Sequence, residues 1–166
     1  AFVVDASVTD AAGNTASDTE NGGVIDTLAP TFDIDPLAAT NDSTPTITGS
    51  SDEIGGLVSI TVTDANGDIQ TLTATVLADG SWSVDVPTPL AEGAFVVDAS
   101  VTDAAGNTAS DTENGGVIDT LAPTFDIDPL AATNDSTPTI TGSSDEIGGL
   151  VSITVTDANG DIQTLT

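Results

Sequence analysis

Carboxylates are the main reactive groups that this sequence offers. The chain has 27 Asp and Glu residues and no Lys, Arg, His, Cys or Tyr. This composition removes cysteine and lysine nucleophiles, Ser-His-Asp triads, and the imidazole and thiolate ligands of zinc and copper. The remaining oxygen ligands suit calcium or magnesium, and the flexible coordination of calcium suits loops that are dense in Asp and Asn. Composition therefore favours calcium as the cofactor.

The formal charge of -27 has no compensating side chain of positive charge. Repulsion of this size opposes the compact state, so the balancing positive charge must come from outside the polypeptide. The same sign argues against nucleic acid, and against contact of this segment with an anionic membrane surface.

The chain is a tandem repeat. A shift of 93 residues superimposes residues 1–73 on residues 94–166 without a mismatch. The stretch from Val24 to Asp35 recurs letter for letter from Val117 to Asp128, and each copy contains Ala-Pro. Since proline fixes its own φ and extends the residue before it, the stretch predicts a stiff connector between domains. A period of this length corresponds to a whole domain rather than a solenoid unit.

If this connector marks the boundary between domains, residues 27–119 are one complete repeat. Residues 1–26 are then the C-terminal strands of a preceding repeat, and residues 120–166 are the N-terminal half of a following one. Neither terminal segment can bury its apolar face alone. We therefore expect the two segments to complement each other between neighbouring molecules.

Apolar residues alternate with polar ones throughout the complete repeat, which predicts half-buried strands. Trp82 is the expected core anchor. The predicted strands are 31–35, 44–49, 57–63, 69–77, 81–86, 94–102, and a final one that starts at 107 and is broken at 114–116. Seven short strands with frequent turns predict an all-β fold, an antiparallel β-sandwich.

Alternating strand direction sorts the loops between the two poles of such a sandwich. The linker before residue 31 and the loops 50–56, 78–80 and 103–107 share the pole that we call proximal. The loops 36–43, 64–68 and 87–93 and the following linker share the distal pole. Five residues with oxygen ligands meet at the proximal pole, enough for a calcium site: Asp26, Asp52, Glu53, Asp103 and Asn107.

The Asp64-x-Asn66-x-Asp68 segment at the distal pole begins like an EF-hand loop. The sequence excludes an EF-hand, since Ile69 stands where the loop requires glycine. The favoured interpretation is a type I′ hairpin with solvated carboxylates, and the alternative is a calcium site shared with Asp119.

Three stretches carry a resemblance to a known family: Asp-Thr-Leu-Ala-Pro-Thr at 26–31, Gly-Ser-Trp-Ser-Val-Asp-Val-Pro at 80–87 and Val-Thr-Asp-Ala-Ala-Gly-Asn-Thr at 101–108. With them, the whole repeat resembles the bacterial immunoglobulin-like repeats of giant biofilm adhesins exported by type 1 secretion, the RTX adhesins. The resemblance implies an extracellular location at the bacterial cell surface. It also implies that calcium at the interdomain linkers stiffens a stalk.

Carried over by position, the family's linker ligands fall on the five proximal residues of one junction and on Asp119, Asp145 and Glu146 of the next. The Gly-Gly-x-Gly-x-Asp repeat of RTX calcium rolls is absent, so the resemblance covers the extender region only.

Two functions follow from these observations. The first is a structural spacer with neighbouring repeats of the same chain as its partners. The alternative is an adhesive module that binds carbohydrate or protein through calcium. Catalysis is not expected: Asp52 and Glu53 form an acidic pair like that of glycoside hydrolases, but a small sandwich with neighbours on both poles leaves little room for a substrate cleft.

Overall fold

Strands account for all the regular secondary structure of the protein. The structure, a computed structural model, describes residues 1–166, which form two compact units, Ala1–Thr120 and Leu121–Thr166. The strands are β1 (Phe2–Thr9), β2 (Thr15–Gly23), β3 (Phe32–Ile34), β4 (Ala39–Thr40), β5 (Thr46–Ser51), β6 (Leu57–Thr63), β7 (Ile69–Thr75), β8 (Ser81–Asp85), β9 (Gly93–Thr102), β10 (Thr108–Ile118), β11 (Phe125–Ile127), β12 (Gly142–Ser144), β13 (Ile153–Thr156) and β14 (Ile162–Leu165). No helix of a length and apolarity that could cross a membrane occurs.

The complete repeat is a sandwich of two sheets. One sheet has the order β3-β5-β8 and the other β4-β10-β9-β6-β7. Every neighbouring pair is antiparallel except β4, which lies parallel to the end of β10. The sequence predicted seven strands, and the short strand β4 lies inside the predicted loop 36–43. Pro36 explains the break, because proline cannot donate to a sheet and ends β3 before the chain crosses to the other sheet.

The core of the repeat follows the predicted alternation. Val58, Ile60 and Val62 of β6 face inward and are buried, as are Phe95 and the alternate residues after it on β9. Trp82 is buried and stacks on Phe32 with ring centroids 5.6 Å apart. Burying one such side chain stabilises the fold by about 1.5–3 kcal/mol, so these residues hold the two sheets together.

Two local predictions were wrong. The loop after β6 is not a type I′ turn, since that turn needs positive φ at both central residues and no residue other than glycine has one. Within this loop, only Gly67 takes the left-handed conformation, at φ 85°, and its N–H donates to the Asp64 carbonyl. This is the pattern of a turn closed by a left-handed glycine.

The second wrong prediction concerns the final strand, which is continuous although a break was predicted at residues 114–116. Strand β10 runs from Thr108 to Ile118 with a bulge between Glu113 and Gly116. A Cβ on Gly116 would lie 2.4 Å from the Phe95 ring, so the glycine lets the ring cover the strand. The two adjacent glycines therefore shape the strand and do not end it.

The first unit also contains a separate hairpin of β1 and β2, which repeats the sequence and the register of β9 and β10. The second unit has two strand pairs, β11 with β12 and β13 with β14. Both segments leave apolar residues exposed that are buried at the corresponding positions of the complete repeat.

Candidate functional site

The proximal pole carries an open groove of about 530 Å³ between the linker and two loops of the sandwich. Its lining residues are Val24, Asp26, Leu28, Ala29, Pro30, Asp52, Glu53, Asp103, Ala104 and Ala105. The linker thus meets the β5–β6 loop and the β9–β10 turn, as strand direction predicted. All four carboxylates expected here line the same groove.

Asp52 fixes the linker where it joins the sandwich. It follows β5 directly, and its Oδ1 accepts a hydrogen bond from the Thr31 backbone N–H at 2.7 Å. The neighbouring Ser51 hydroxyl donates to the Thr31 carbonyl at 2.8 Å. Both backbone groups of Thr31 are therefore held by the loop, which sets the direction in which the chain enters β3.

The turn between β9 and β10 forms the opposite wall of the groove with Asp103, Ala104 and Ala105, and Asn107 closes this turn. Asp103 Oδ1 accepts the N–H groups of Ala105 at 2.9 Å and Asn107 at 2.8 Å, while Oδ2 accepts from the Asn107 amide at 2.8 Å. The hydrogen bond from the Asn107 side chain, followed by those from the backbone, holds the pKa of Asp103 below its ordinary value. The ionised form is thereby favoured at the groove.

Asn107 also connects the sandwich to the linker. Its amide donates to the Asp26 carbonyl at 3.3 Å, across 81 residues of sequence. The Asp26 side chain caps its own turn by accepting from the Leu28 N–H at 3.1 Å. The predicted proximal residues Asp26, Asp103 and Asn107 therefore form one connected network of hydrogen bonds.

Glu53 lies along the groove beside Gly56. Its N–H donates to the Ser51 hydroxyl at 3.2 Å, and its carbonyl accepts from the Gly56 N–H at 2.9 Å. A Cβ on Gly56 would stand 2.6 Å from the Glu53 Cγ, so the absent side chain leaves space for the glutamate. The tight loop positions the carboxylate at the linker.

The groove fits calcium in the chemistry of its ligands. Carboxylate and carbonyl oxygens surround it, and no nitrogen or sulfur ligand of a softer metal is available. The carboxylates are nevertheless spread along the groove, since no group of three or more acidic side chains lies close enough together to hold a metal ion. Bound calcium would have to draw these side chains together.

The other predicted ligands at the distal pole do not belong to any group of three or more acidic side chains that could hold a metal ion. Asp64 Oδ1 accepts from the backbones of Asn66 and Asp68 at 2.9 and 3.0 Å, and its Oδ2 accepts from the Ala91 N–H at 3.1 Å. These hydrogen bonds, that from Ala91 first, lower the pKa of Asp64. Asp119 is held by its own N–H, which donates to the Thr40 carbonyl at 2.9 Å. The loop therefore uses Asp64 to organise its own backbone.

In the second unit, Asp145 and Glu146 repeat the contacts of the complete repeat. Asp145 accepts from the Thr124 N–H at 2.8 Å, and the Ser144 hydroxyl donates to the Thr124 carbonyl at 2.9 Å. The Glu146 N–H donates to the Ser144 hydroxyl at 3.1 Å. This local geometry forms without the strands that complete the sandwich.

Two contact residues were missed by the sequence analysis. Glu92 accepts from both the N–H and the hydroxyl of Thr120, and so ties the following linker to the distal pole. Its place in the loop 87–93, predicted to share that pole, was the available signal. Asp111 accepts from the Ile34 N–H at 2.9 Å and links β10 to the other sheet, which no local pattern indicated.

Comparison with known proteins assigns the family. The sequence model of a protein family, the bacterial Ig-like domain, matches residues 35–120 of this chain. The chain therefore belongs to the family of bacterial Ig-like domains, which confirms the predicted Ig-like fold. The chain is also similar to a solved structure described as a tetra-tandem repeat in the extending region of a large adhesion protein. That similarity has 32% identity and a TM-score of 0.49, and covers 98% of this chain and 44% of that one. The comparison with curated proteins finds no match.

Proposed function

We propose that the chain is part of a structural spacer in a bacterial cell-surface adhesin, which projects ligand-binding domains away from the cell without enzymatic activity. One observation carries this proposal: the polypeptide enters the sandwich at the proximal pole, where Thr31 binds Asp52, and leaves at the distal pole, where Thr120 binds Glu92. The 11 residues of β10 between those poles span about 36 Å at 3.3 Å per residue. Identical repeats joined in this way lengthen a stalk.

The family assignment and the tandem period support the same role. A tandem repeat with a period of 93 residues, identical at all 73 positions that occur twice, adds length at each step without needing any position to differ. Each repeat would extend the stalk by about 35–45 Å, counting the strands and the polar loops. An extracellular location follows from the proposed role, and the extending role named for the solved relative is applied to this chain as part of this proposal.

We further propose that calcium at the linkers stiffens the stalk. The proximal groove places Asp52 and Asp103 of the sandwich alongside Asp26 of the linker in a chain of charge -27. A divalent cation there would offset repulsion and hold the linker to both loops at once. The second junction would use the distal Asp119 together with Asp145 and Glu146, and a site at Asp64, Asn66 and Asp68 remains the alternative for the distal loop.

Calcium should therefore raise the melting temperature of the chain. The ion binds the folded form, so its effect grows with the free ion concentration by mass action. Magnesium should do less, because it demands regular octahedral geometry and dehydrates reluctantly. Thermal unfolding followed by Trp82 fluorescence would measure both ions against chelator. Equal melting curves in calcium and in chelator would contradict the calcium proposal and leave the spacer proposal standing.

Calcium should also lengthen the particle in solution. Chelation is expected to shorten the maximum dimension in small-angle scattering, and Asp119→Ala should reproduce part of that change in the presence of calcium. Asp18→Ala is the matched control, because it removes the same charge from the middle of β2. A profile that neither chelator nor Asp119→Ala alters would leave the linker stiff through Ala122-Pro123 alone.

The alternative function, an adhesive module that binds carbohydrate or protein through calcium, predicts a different result. An isolated complete repeat, residues 27–119, should then retain calcium-dependent glycan binding on an array. The spacer proposal expects no such binding, while the dependence of length on calcium persists.

A further inference from the structure

Strand β7 is the long, unprotected edge of the complete repeat. The edge strands of its two sheets are β3 and β8, and β4 and β7. Sheet edges are usually protected by short length, by charge or by proline. Strand β4 has 2 residues, β3 has 3 and contains Asp33, and β8 has 5 and ends at Asp85 shortly before Pro87. Strand β7 has 7 residues without a charge or a proline, so it lacks all three kinds of protection.

The outer backbone groups of β7 have no partner strand, because β7 pairs only with β6. Just beyond the strand, the Val76 N–H donates to the Gly56 carbonyl at 3.0 Å. Since backbone groups along an antiparallel strand point alternately toward and away from its neighbour, Gln70, Leu72 and Ala74 also bond to β6. The N–H and C=O groups of the residues between them point out of the sheet edge: Ile69, Thr71, Thr73 and Thr75.

This edge also lies in a region without charge. Residues 54–63 and 69–78, which include the paired strands β6 and β7, contain no acidic residue in a chain of charge -27. The large apolar side chains that are exposed between residues 31 and 116 all lie in these two stretches: Ile54, Leu57, Ile69 and Leu77. A basic partner would bind where the carboxylates are, whereas an uncharged edge suits a partner of the same negative charge. A second copy of the chain is such a partner.

We propose that two copies of the chain pair antiparallel through β7, so that their five-stranded sheets join into one continuous sheet. The two-fold axis passes through Leu72. In this register, Thr71 pairs with Thr73 of the second copy and Ile69 with Thr75, so all 7 residues of β7 gain a partner. Moving the axis to a neighbouring residue would leave residues at one end of each strand unpaired.

The side chains fit this register. Leu72 is half-buried and packs against the core, and at the axis it meets Leu72 of the second copy in a non-hydrogen-bonded pair, where side chains are closest. Asp68, the nearest acid before β7, falls opposite Val76 of the second copy and not opposite a carboxylate. Gln70 bonds within its own molecule, since its amide donates to the Thr88 carbonyl at 2.8 Å and accepts the Thr88 N–H at 3.2 Å. The distal loop is therefore held by a side chain and not by the backbone of β7.

The pairing uses the complete repeat alone and does not depend on the spacer proposal. A two-fold contact is isologous, so each edge is satisfied by one partner. Repulsion between chains of charge -27 opposes the contact, and salt should strengthen it by screening. In a spacer, every repeat of the same sequence carries the same edge. Neighbouring stalks would thus have a lateral contact whose strength grows with the number of repeats.

Sedimentation velocity of the full chain tests the pairing, in chelator to exclude bridging by calcium and in roughly 0.5 M NaCl to screen charge. The average mass should rise with concentration from 16.3 kDa toward twice that value. Thr73→Pro should remain monomeric, because it removes an outward N–H without removing a hydrogen bond to β6. The double variant Thr71→Asp, Thr73→Asp should also remain monomeric, because it sets like charges directly opposite each other.

The matched control places the same two charges on the outer face of β10, away from the edge. Thr108→Asp combined with Ser110→Asp should still associate as the wild type does. Thermal unfolding followed by Trp82 fluorescence reports that the complete repeat stays folded in each variant.

Cysteine pairs test the register, since the chain has no cysteine of its own. A mixture of Thr71→Cys and Thr73→Cys chains should form a disulfide-linked dimer, because a hydrogen-bonded pair has Cα atoms about 5.5 Å apart. Thr71→Cys mixed with Thr75→Cys should not, because these positions would be diagonal neighbours about 7–8 Å apart. A wild-type chain that stays monomeric, wild-type association in both β7 variants, loss of association in the β10 control, or equal cross-linking in the two mixtures would each overturn the proposal.

Discussion

The hairpin β9–β10 and the hairpin β1–β2 have one sequence in two surroundings. Their pairing is the same: Phe95 faces Gly116 as Phe2 faces Gly23, and the bulge falls at the same place. The Asp103 and Asp10 turns carry the same hydrogen bonds within 0.1 Å. Strand pairing, register and turn geometry are therefore local properties of this sequence.

Burial, by contrast, comes from the surroundings. Ile118 is 1% exposed at the end of β10, and its counterpart Ile25 is 76% exposed. Strand length in the second unit also depends on neighbours, since β12 has 3 residues where its counterpart β5 has 6. Strand β5 is flanked by β3 and β8, whereas β12 pairs only with β11. A second neighbouring strand lengthens β5 because its hydrogen bonds fix residues that would otherwise stay irregular.

The largest expected difference between the hairpins concerns their phenylalanines. Phe95→Ala should lower the free energy of unfolding of the complete repeat by about 3–5 kcal/mol, since it leaves a cavity in the core. Phe2→Ala should change it by less than about 0.5 kcal/mol. Urea unfolding followed by Trp82 fluorescence measures the complete repeat in both variants, because it contains the single tryptophan. Equal losses would mean that the N-terminal hairpin packs on the sandwich.

A smaller difference is expected between Asp111, which accepts a hydrogen bond from the second sheet, and its counterpart Asp18 in the separate hairpin. Asp111 accepts from the Ile34 N–H, and Ile34 is buried. Asp111→Ala should destabilise the repeat by about 1–3 kcal/mol, the cost of leaving a buried donor without a partner. The matched variant Asp18→Ala removes the same charge from the exposed hairpin and should have little effect. A neutral Asp111→Ala would show that water replaces the carboxylate at this edge.

The smallest effect should be the same in both hairpins. The Asn107 side chain is the main cause of the lowered pKa of Asp103, and Asn14 plays the same part for Asp10. Asn107→Ala and Asn14→Ala should therefore raise these two pKa values toward the ordinary value of 3.8. Carbon-detected NMR titration of the carboxyl groups measures both. A shift in only one hairpin would contradict the view that the turns are local.

The lowered pKa of Asp103 sets how the contribution of this carboxylate to folding stability depends on pH. Because the folded pKa is depressed, the contribution is present above the unfolded value of about 3.9 and is lost as the pH falls through the folded pKa. Asn107→Ala should accordingly weaken the complete repeat at neutral pH and have no effect through Asp103 near pH 2. An equal loss of stability at both pH values would point to a purely packing role for Asn107.

Much of this protein follows from its sequence alone. Alternation of apolar residues predicted the inward faces of β6 and β9, and strand direction predicted that Asp52 and Asp103 meet at the linker. Both inferences rest on short-range periodicity, which any β-strand imposes on its side chains. The composition also restricted the chemistry to oxygen ligands.

The rest depends on contacts between residues distant in sequence. Strand β4 exists because the end of β10 lies beside Ala39, and Asp111 acquires its partner only when the two sheets pack. No local pattern encodes these contacts, since Asp111 and its partner Ile34 are 77 residues apart in sequence. The same limit applies to burial: Val8 and Val101 have identical neighbours in sequence, and only the core between the two sheets of the complete repeat separates the buried residue from the exposed one.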